Sequence, residues 1–298
     1  MLSQLHLRNF RSFRNFTISF ADGAYLVGPN NAGKSTILTA LRTADVLLRY
    51  AQQRNPTLHG IHGDKHYVAY PVSLVDFPAL LESVRYDFRG EEASFQLTWK
   101  SGARMTAVWP KVDGTYEPEP FFYLEKLPGM QVRTVLAART TFENIGIIPV
   151  LGPVEHSEQL LSDEYVRRNV SGRLSSRHFR NQLRIMRQAG TYDAFIEYAR
   201  TWLDDLKIED FGQHMTSDGQ VLDVYYREKD SRVPKELVWA GDGVQVWLQL
   251  LYHIYRVQDF RTIVLDEPEV YLHPDLQRRL VHLLETTGRQ VVLATHSS

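Results

Sequence analysis

The stretch Gly28-Pro29-Asn30-Asn31-Ala32-Gly33-Lys34-Ser35 carries Gly, Gly, Lys and a hydroxyl at the fixed places of the pattern G-x-x-x-x-G-K-[ST]. It constrains the fold more than any other part of the chain. Apolar Ala24-Tyr25-Leu26-Val27 before it reads as a buried strand, and Thr36-Ile37-Leu38-Thr39-Ala40-Leu41 after it opens a helical pattern. Such a loop between strand and helix binds phosphate. The glycines let the backbone wrap an anion, while successive N–H groups and the helix N-terminus supply partial positive charge. Lys34 reaches the β- and γ-phosphates and the Ser35 hydroxyl ligates Mg2+. Gly28, Pro29, Asn30, Asn31, Ala32, Gly33, Lys34, Ser35 and Thr36 are the expected nucleotide-binding residues, with ATP and Mg2+ as cofactors.

A second stretch, Thr262-Ile263-Val264-Leu265-Asp266-Glu267-Pro268-Glu269, is an apolar strand ending in two carboxylates. Asp266 at the strand tip suits the Mg2+ shell, and Glu267 suits the water that attacks the γ-phosphate, as its general base or orienting group. A third strand, Gln290-Val291-Val292-Leu293-Ala294, ends in Thr295-His296-Ser297. A lone His is more often a satisfied surface or core residue. At the tip of the third strand in this order, His296 is instead expected to sense or polarise the γ-phosphate. Lys34, Glu267 and His296 are the expected catalytic residues.

Leu265-Asp266-Glu267-Pro268-Glu269-Val270-Tyr271-Leu272-His273-Pro274 and Ala294-Thr295-His296-Ser297 together resemble the ABC-type ATPase heads of the SMC/RecF/OLD group. The opening Leu5-His6-Leu7-Arg8-Asn9-Phe10-Arg11-Ser12-Phe13 is similar to the first strand of the same group. The resemblance rests on the first fifty and last sixty residues. It implies an α/β P-loop NTPase with a mostly parallel core sheet and a neighbouring antiparallel β lobe. It also implies a signature loop that closes over the nucleotide of a second protomer. Ala240-Gly241-Asp242-Gly243-Val244-Gln245 stands where that loop belongs, one helix upstream of the carboxylate strand. Ala240 replaces the usual serine, so contact in trans falls to Gly241, Asp242, Gly243, Gln245 and the helix dipole. The partners implied are a second copy, as a homodimer or higher homo-oligomer.

The net charge of −1 leaves any nucleic-acid contact to a local patch. Cysteine is absent, which excludes disulfides and thiolate chemistry. No apolar run approaches a membrane span and no signal segment opens the sequence, so a cytoplasmic protein without membrane contact is expected.

Ser3–Leu7 and 16–20 read as strands joined by a basic turn holding Arg8, Arg11 and Arg14. Arg11 is open to two readings, a nucleotide contact or a solvated hairpin residue. Ile37, Leu38, Leu41, Val46, Leu47 and Leu48 give helix 35–52 an apolar face, and 55–63 reads as its break. Aromatic strands at 67–70, 84–88, 93–99 and 105–109, with turns such as Asp113-Gly114, form an antiparallel meander over about 64–125. A buried strand at 144–151 leads into polar Glu155-His156-Ser157-Glu158-Gln159, read as a site-lining loop, a bare polar loop or a metal cluster.

Residues 160–210 are helical in pattern, and 157–212 reads as a helical lobe inserted into a head made of 1–156 and 213–298. Between Arg167 and Arg187 lie seven arginines and no Asp or Glu. Arg177, Arg180, Arg184 and Arg187 recur at three, four and three, on one helical face. That stripe suits DNA backbone, an acidic partner, or pairing within the chain by the acids that follow it.

The sequence stops soon after His296, whereas heads of this kind continue and OLD-type proteins add a nuclease domain, so a further C-terminal part or a partner chain is expected. Two functions fit. One is an ATPase that dimerises around ATP and controls DNA processing by an attached or partner nuclease, in phage defence or DNA repair. The other is an ATPase scaffold or sensor that assembles and releases a protein effector. No nuclease activity is expected of the chain itself.

Overall fold

The computed structural model describes residues 1–29, 32–72, 84–112, 118–203, 206–217, 219–229 and 231–296. Asn30, Asn31, Ser297, the Asp204-Asp205 pair and the Asp113-Gly114 turn lie outside these residues. The chain begins β1 (Leu2–Phe10), β2 (Phe13–Ser19), β3 (Gly23–Val27), α1 (Lys34–Ala51), β4 (Leu58–His62) and β5 (Lys65–Pro71). It continues with β6 (Ala93–Trp99), β7 (Arg104–Trp109), β8 (Phe121–Leu127), β9 (Met130–Gln131), α2 (Val135–Thr141) and β10 (Ile145–Ile148). Then come β11 (Glu158–Gln159), α3 (Asp163–Asn169), α4 (Phe179–Gln188), α5 (Tyr192–Arg200), β12 (Leu206–Thr216), β13 (Gly219–Glu228) and β14 (Lys235–Glu236). The last elements are α6 (Asp242–Arg256), β15 (Thr262–Asp266), α7 (Pro274–Thr286) and β16 (Gln290–Thr295). Two compact units result. One comprises Met1–Ile147, Phe260–Val264 and Arg289–Ser298, the other Ile148–Asp259 and Leu265–Gly288.

The first unit is organised by α1. Its apolar residues Ile37, Leu38, Leu41, Ala44 and Leu48 recur every three or four positions and so share one face. That face lies in one core cluster with Leu5, Leu7, Phe95 and Leu97 of an antiparallel sheet and with Leu26 and Val292 of a parallel pair. Val46 falls off the face and is exposed. In β1 the period is two: Leu5 and Leu7 turn to the core, His6 and Arg8 away from it. The antiparallel sheet runs in the order β2-β1-β6-β7-β8-β5-β4, with β9 on β8. A second sheet runs β10-β15-β16-β3, with β16 and β3 parallel.

The buried amide of Gln290 joins these two sheets. Its Oε1 accepts from the Leu2 N–H (2.7 Å) and the Thr262 hydroxyl (2.8 Å), and its Nε2 donates to the Leu2 and Ala21 carbonyls at 2.8 and 2.9 Å. All four of its hydrogen-bonding positions are used, which is what makes a fully buried amide tolerable.

Several sequence expectations change here. Arg8 and Arg14 are strand residues, and only Arg11 stands in the β1–β2 turn. Residues 84–88 are not a strand: Arg85 makes one bridge to Phe10 and Tyr86–Phe88 is a 3-10 turn. Leu58–His62, read as a break, is a strand paired with β5, because its exposed edge residues hide a ladder that only the partner supplies. Phe121–Leu127, with five successive buried residues, is a further strand. It lacks the alternation of a half-exposed strand since both of its faces are covered.

In the second unit β13 pairs with β11, β12 and β14, all antiparallel. The helical reading of 160–210 holds to Arg200 and fails beyond it, since 206–216 is β12 and Glu209 is a strand residue. Leu237–Trp239 forms a 3-10 turn before α6. α6 is the buried helix of this unit, and within it His253 is fully enclosed, 3.2 Å from the Ser175 Oγ and 3.5 Å from an Arg256 Nη2.

Burial, with the Arg256 charge adding to it, holds the His253 pKa well below the usual imidazole value. Unfolded, the same ring titrates near about 6.5. Above that pH both states are neutral; below it the unfolded chain takes up a proton that the folded chain refuses, so stability falls by about 1.4 kcal/mol per pH unit. Thermal unfolding followed from neutral pH to pH 5 is expected to show this loss, with a shallower acid slope in His253→Gln. An identical slope in the variant would assign the acid sensitivity to other groups.

Candidate active site

The phosphate loop turns into α1 at Gly33, whose φ of +90° lies in the left-handed region that glycine enters without strain. A Cβ there would meet the Phe13 ring at 2.2 Å. The helix that follows has no side-chain hydrogen bond at its N-cap and no acidic residue in its first turn, so its own residues leave the positive end of its dipole unneutralised. The β1–β2 turn packs along this end residue by residue. The Arg11 Nη1 donates to the Thr39 Oγ1 at 2.8 Å, the Thr36 hydroxyl donates to Ser12 at 3.1 Å, and Phe13 lies on Gly33. Arg11 thus leans on α1, and Thr36 spends its hydroxyl on Ser12.

Lys34 is largely buried and donates to the carbonyls of Gly28 and Pro29. Its Nζ also lies 3.3 Å from the His296 Nδ1. An ammonium only donates, so that ring nitrogen accepts. Parallel pairing of β16 with β3 sets Thr295 beside Val27, which carries His296 to the start of the loop across 262 positions of sequence. Ser35 is exposed in the first turn of α1.

In the second unit β15 ends on Asp266, and Glu267 follows with φ +47°, a left-handed backbone that costs a residue with a side chain about 1–2 kcal/mol. Both are partly exposed. Strain of this kind concentrates at sites where a side chain must be aimed. Gly241 precedes α6, while Asp242 and Gly243 form its first turn. A Cβ on Gly241 would meet nothing within 4 Å, whereas one on Gly243 would lie 3.0 Å from the Tyr271 carbonyl oxygen. Gly243 is therefore a packing glycine and Gly241 an open one. Gln245, expected to reach a nucleotide, is buried instead. Its Nε2 donates to the Ala240 (2.7 Å) and Val238 (3.2 Å) carbonyls, and its Oε1 accepts from the Val154 N–H at 2.9 Å. It fastens the turn from behind.

Only part of the arginine stripe is withdrawn from the surface: Arg180 is buried and Arg184 half-buried, while Arg177 and Arg187 are exposed. Arg177 pairs with Glu155 at 3.0 Å, Arg180 is buried between carboxylates, Arg184 pairs with Asp163 at 2.7 Å, and Arg187 lies over the Phe211 ring at 5.5 Å. Helical spacing placed Arg180, Arg184 and Arg187 on one face but said nothing of what covers the first two. Glu158 is likewise no loop residue lining a site. It is buried, its carboxyl group accepting the N–H groups of Arg180 and Asn181 at 2.9 and 2.7 Å at the start of α4. Burial raises its pKa and those hydrogen bonds oppose the shift. Among the described residues no three His, Cys, Asp or Glu converge to hold a metal, so the Glu155-His156-Glu158 cluster does not form. Phe13, Ser12 and Glu236 escaped the sequence reading, because each gains its role from a partner distant in sequence.

Residues 1–46 match the family described as "AAA ATPase domain" and residues 24–121 that described as "50S ribosome-binding GTPase". The OLD nuclease of Thermus scotoductus is 24% identical over 328 aligned positions, which take in 100% of this chain and 59% of that protein. The chain therefore spans about three-fifths of the length of that curated relative. An SMC head bound to the C-terminal winged-helix domain of ScpA superposes with TM-score 0.55 at 14% identity, over 100% of this chain and 90% of that one. The recombination mediator protein RecF superposes at 0.52 and 14%, over 100% and 93%. An SMC head from Pyrococcus furiosus gives 0.52 and 12%, over 99% and 89%. These likenesses give the fold, that of a P-loop NTPase. Residues 138–298, more than half of the chain, match "AAA domain, putative AbiEii toxin, Type IV TA system", and the chain belongs to that family as an SMC/RecF/OLD-like ATPase head.

Proposed function

We propose that this head binds ATP in the loop 28–36, pairs with a second copy so that Gly241 and Asp242 of each cover the nucleotide of the other, and hydrolyses it. The observation that carries the reading is the uncapped start of α1 behind the left-handed Gly33, with Lys34 and His296 side by side. Lys34 leaves its loop carbonyls for the β- and γ-phosphates, Glu267 orients and deprotonates the attacking water, and His296 holds the γ-phosphate. Ser35 and Asp266 would hold Mg2+, a set of one hydroxyl and one carboxylate that suits an ion taking its other ligands from phosphate and water. When bound, Mg2+ neutralises charge on the phosphate oxygens.

We further propose that ATP turnover controls DNA processing by an attached or partner nuclease, in phage defence or repair. Support comes from the OLD nuclease relative, which aligns with the whole of this chain and extends beyond it. A scaffold that carries a protein effector is the second reading, favoured by the SMC head whose solved structure holds a ScpA domain. Among the described residues no helix is long and apolar enough to cross a membrane, and no membrane role is proposed. The test is one assay with two readouts. Supercoiled plasmid is expected to raise the ATPase rate while remaining uncut in Mg2+ or Mn2+. A rate indifferent to every DNA form, with a small protein co-purifying, would favour the scaffold; nicking that persists in Lys34→Ala would reveal a second active site.

A further inference from the structure

We infer that Arg180 is a positioning residue for the signature turn, so that the helices spanning 163–200 act on the ATP held by the partner copy and not on that of their own protomer. The inference rests on the composite site proposed above.

Arg180 stands in the first turn of α4 with a relative exposure of 1%. Its Nε and Nη2 form a fork on the two oxygens of Glu236 at 2.9 and 3.0 Å, and its Nη1 donates to the Glu155 carbonyl at 2.8 Å. Each oxygen of Glu236 also takes a backbone N–H, that of Val224 at 3.2 Å and that of Val238 at 2.7 Å. A buried ion pair is by itself weak evidence of any role. What distinguishes this one is where it ends. Val238 is three residues before Gly241, and its carbonyl, like that of Ala240, is held by the Gln245 amide, which in turn takes the Val154 N–H.

The segment 238–245 is therefore pinned at one end by the Arg180–Glu236 fork and at the other by Gln245, while Gly241 and Asp242 between them remain exposed. A shift of α4 reaches this turn through that guanidinium, beside the contact of the Phe179 ring with Tyr252 of α6 at 5.7 Å between centroids. Lysine could not replace it, because a single ammonium has no planar fork to hold two carboxylate oxygens that are each already bonded to backbone. If the signature turn serves the partner's nucleotide, a loosened fork damages the partner's site alone.

The test uses the full chain. Arg180→Lys is expected to keep its affinity for a fluorescent ATP analogue, which Lys34 governs, and to lose about a hundredfold in kcat, the cost of a misplaced group. Mixed with Lys34→Ala it should recover turnover, since the hybrid contains one site with an intact Lys34 facing an intact Arg180. If Arg180→Lys does not fold, as judged by circular dichroism, Glu236→Gln takes its place in the same mixture. A mixture of Gly241→Arg with Lys34→Ala serves as control. Recovery in the control and none in the Arg180→Lys mixture would overturn this inference, whereas failure of the control itself would overturn the composite site. Arg180→Lys turning over at the parental rate would also overturn it.

Discussion

Glu267→Gln is expected to bind ATP as the parent chain does and to turn it over about a hundredfold or more slowly, since a positioned base contributes about 10²–10⁴ in rate. The substitution changes little besides chemistry. Glutamine has the shape of glutamate and can meet the same left-handed backbone at φ +47°, so the aim of the side chain is kept while its capacity to take a proton is lost. Lys34→Ala should fail earlier, at binding. In the proposed site its ammonium is the charge that meets the β- and γ-phosphates. Single-turnover hydrolysis beside equilibrium binding separates the two defects, and a Glu267→Gln protein that hydrolyses at a near-normal rate would remove this carboxylate from water activation.

Gly241→Arg is expected to abolish turnover in the homodimer while leaving nucleotide affinity of the monomer intact, and mixing it with Lys34→Ala should restore activity. The position is chosen on geometry. Gly241 has φ −59° and ψ 145°, an extended backbone that any residue adopts, and a Cβ there meets no atom within 4 Å. A bulky cation there starts from open space, and its expected effect is on what docks from outside. Gly243→Arg would be ambiguous, because its Cβ would press the Tyr271 carbonyl at 3.0 Å and disturb the segment after Glu267. Loss of a preorganised backbone donor costs about 10²–10³ in rate, well above what a mixing experiment needs to register. Ultracentrifugation with ATP supplies the independent check: if Gly241→Arg and Lys34→Ala protomers associate and stay inactive, the two halves of the site do not belong to different chains.

What the sequence determined by itself was whatever depends on near neighbours. The loop from Gly28 to Ser35 is legible because its glycines, lysine and hydroxyl follow one pattern within one turn of chain. The face of α1 and the alternation of β1 are legible because 3.6 and 2 are properties of the local backbone. The tips of β15 and β16 were readable from apolar runs that stop at Asp266 and His296. Tertiary structure decided the rest wherever a residue's partner is remote. Arg180 looked like part of a surface stripe until Glu158 and Glu236, 22 and 56 residues away, enclosed it. Gln245 looked like a ligand contact until Val154 and Val238 occupied its amide. Leu206–Thr216 carries enough charge to pass for the end of a helix, and only its pairing with β13 makes it a strand. Periodicity tells which side chains share a face; what covers that face is set by chain closure, and the cost of burying an unpaired polar group then selects the partner.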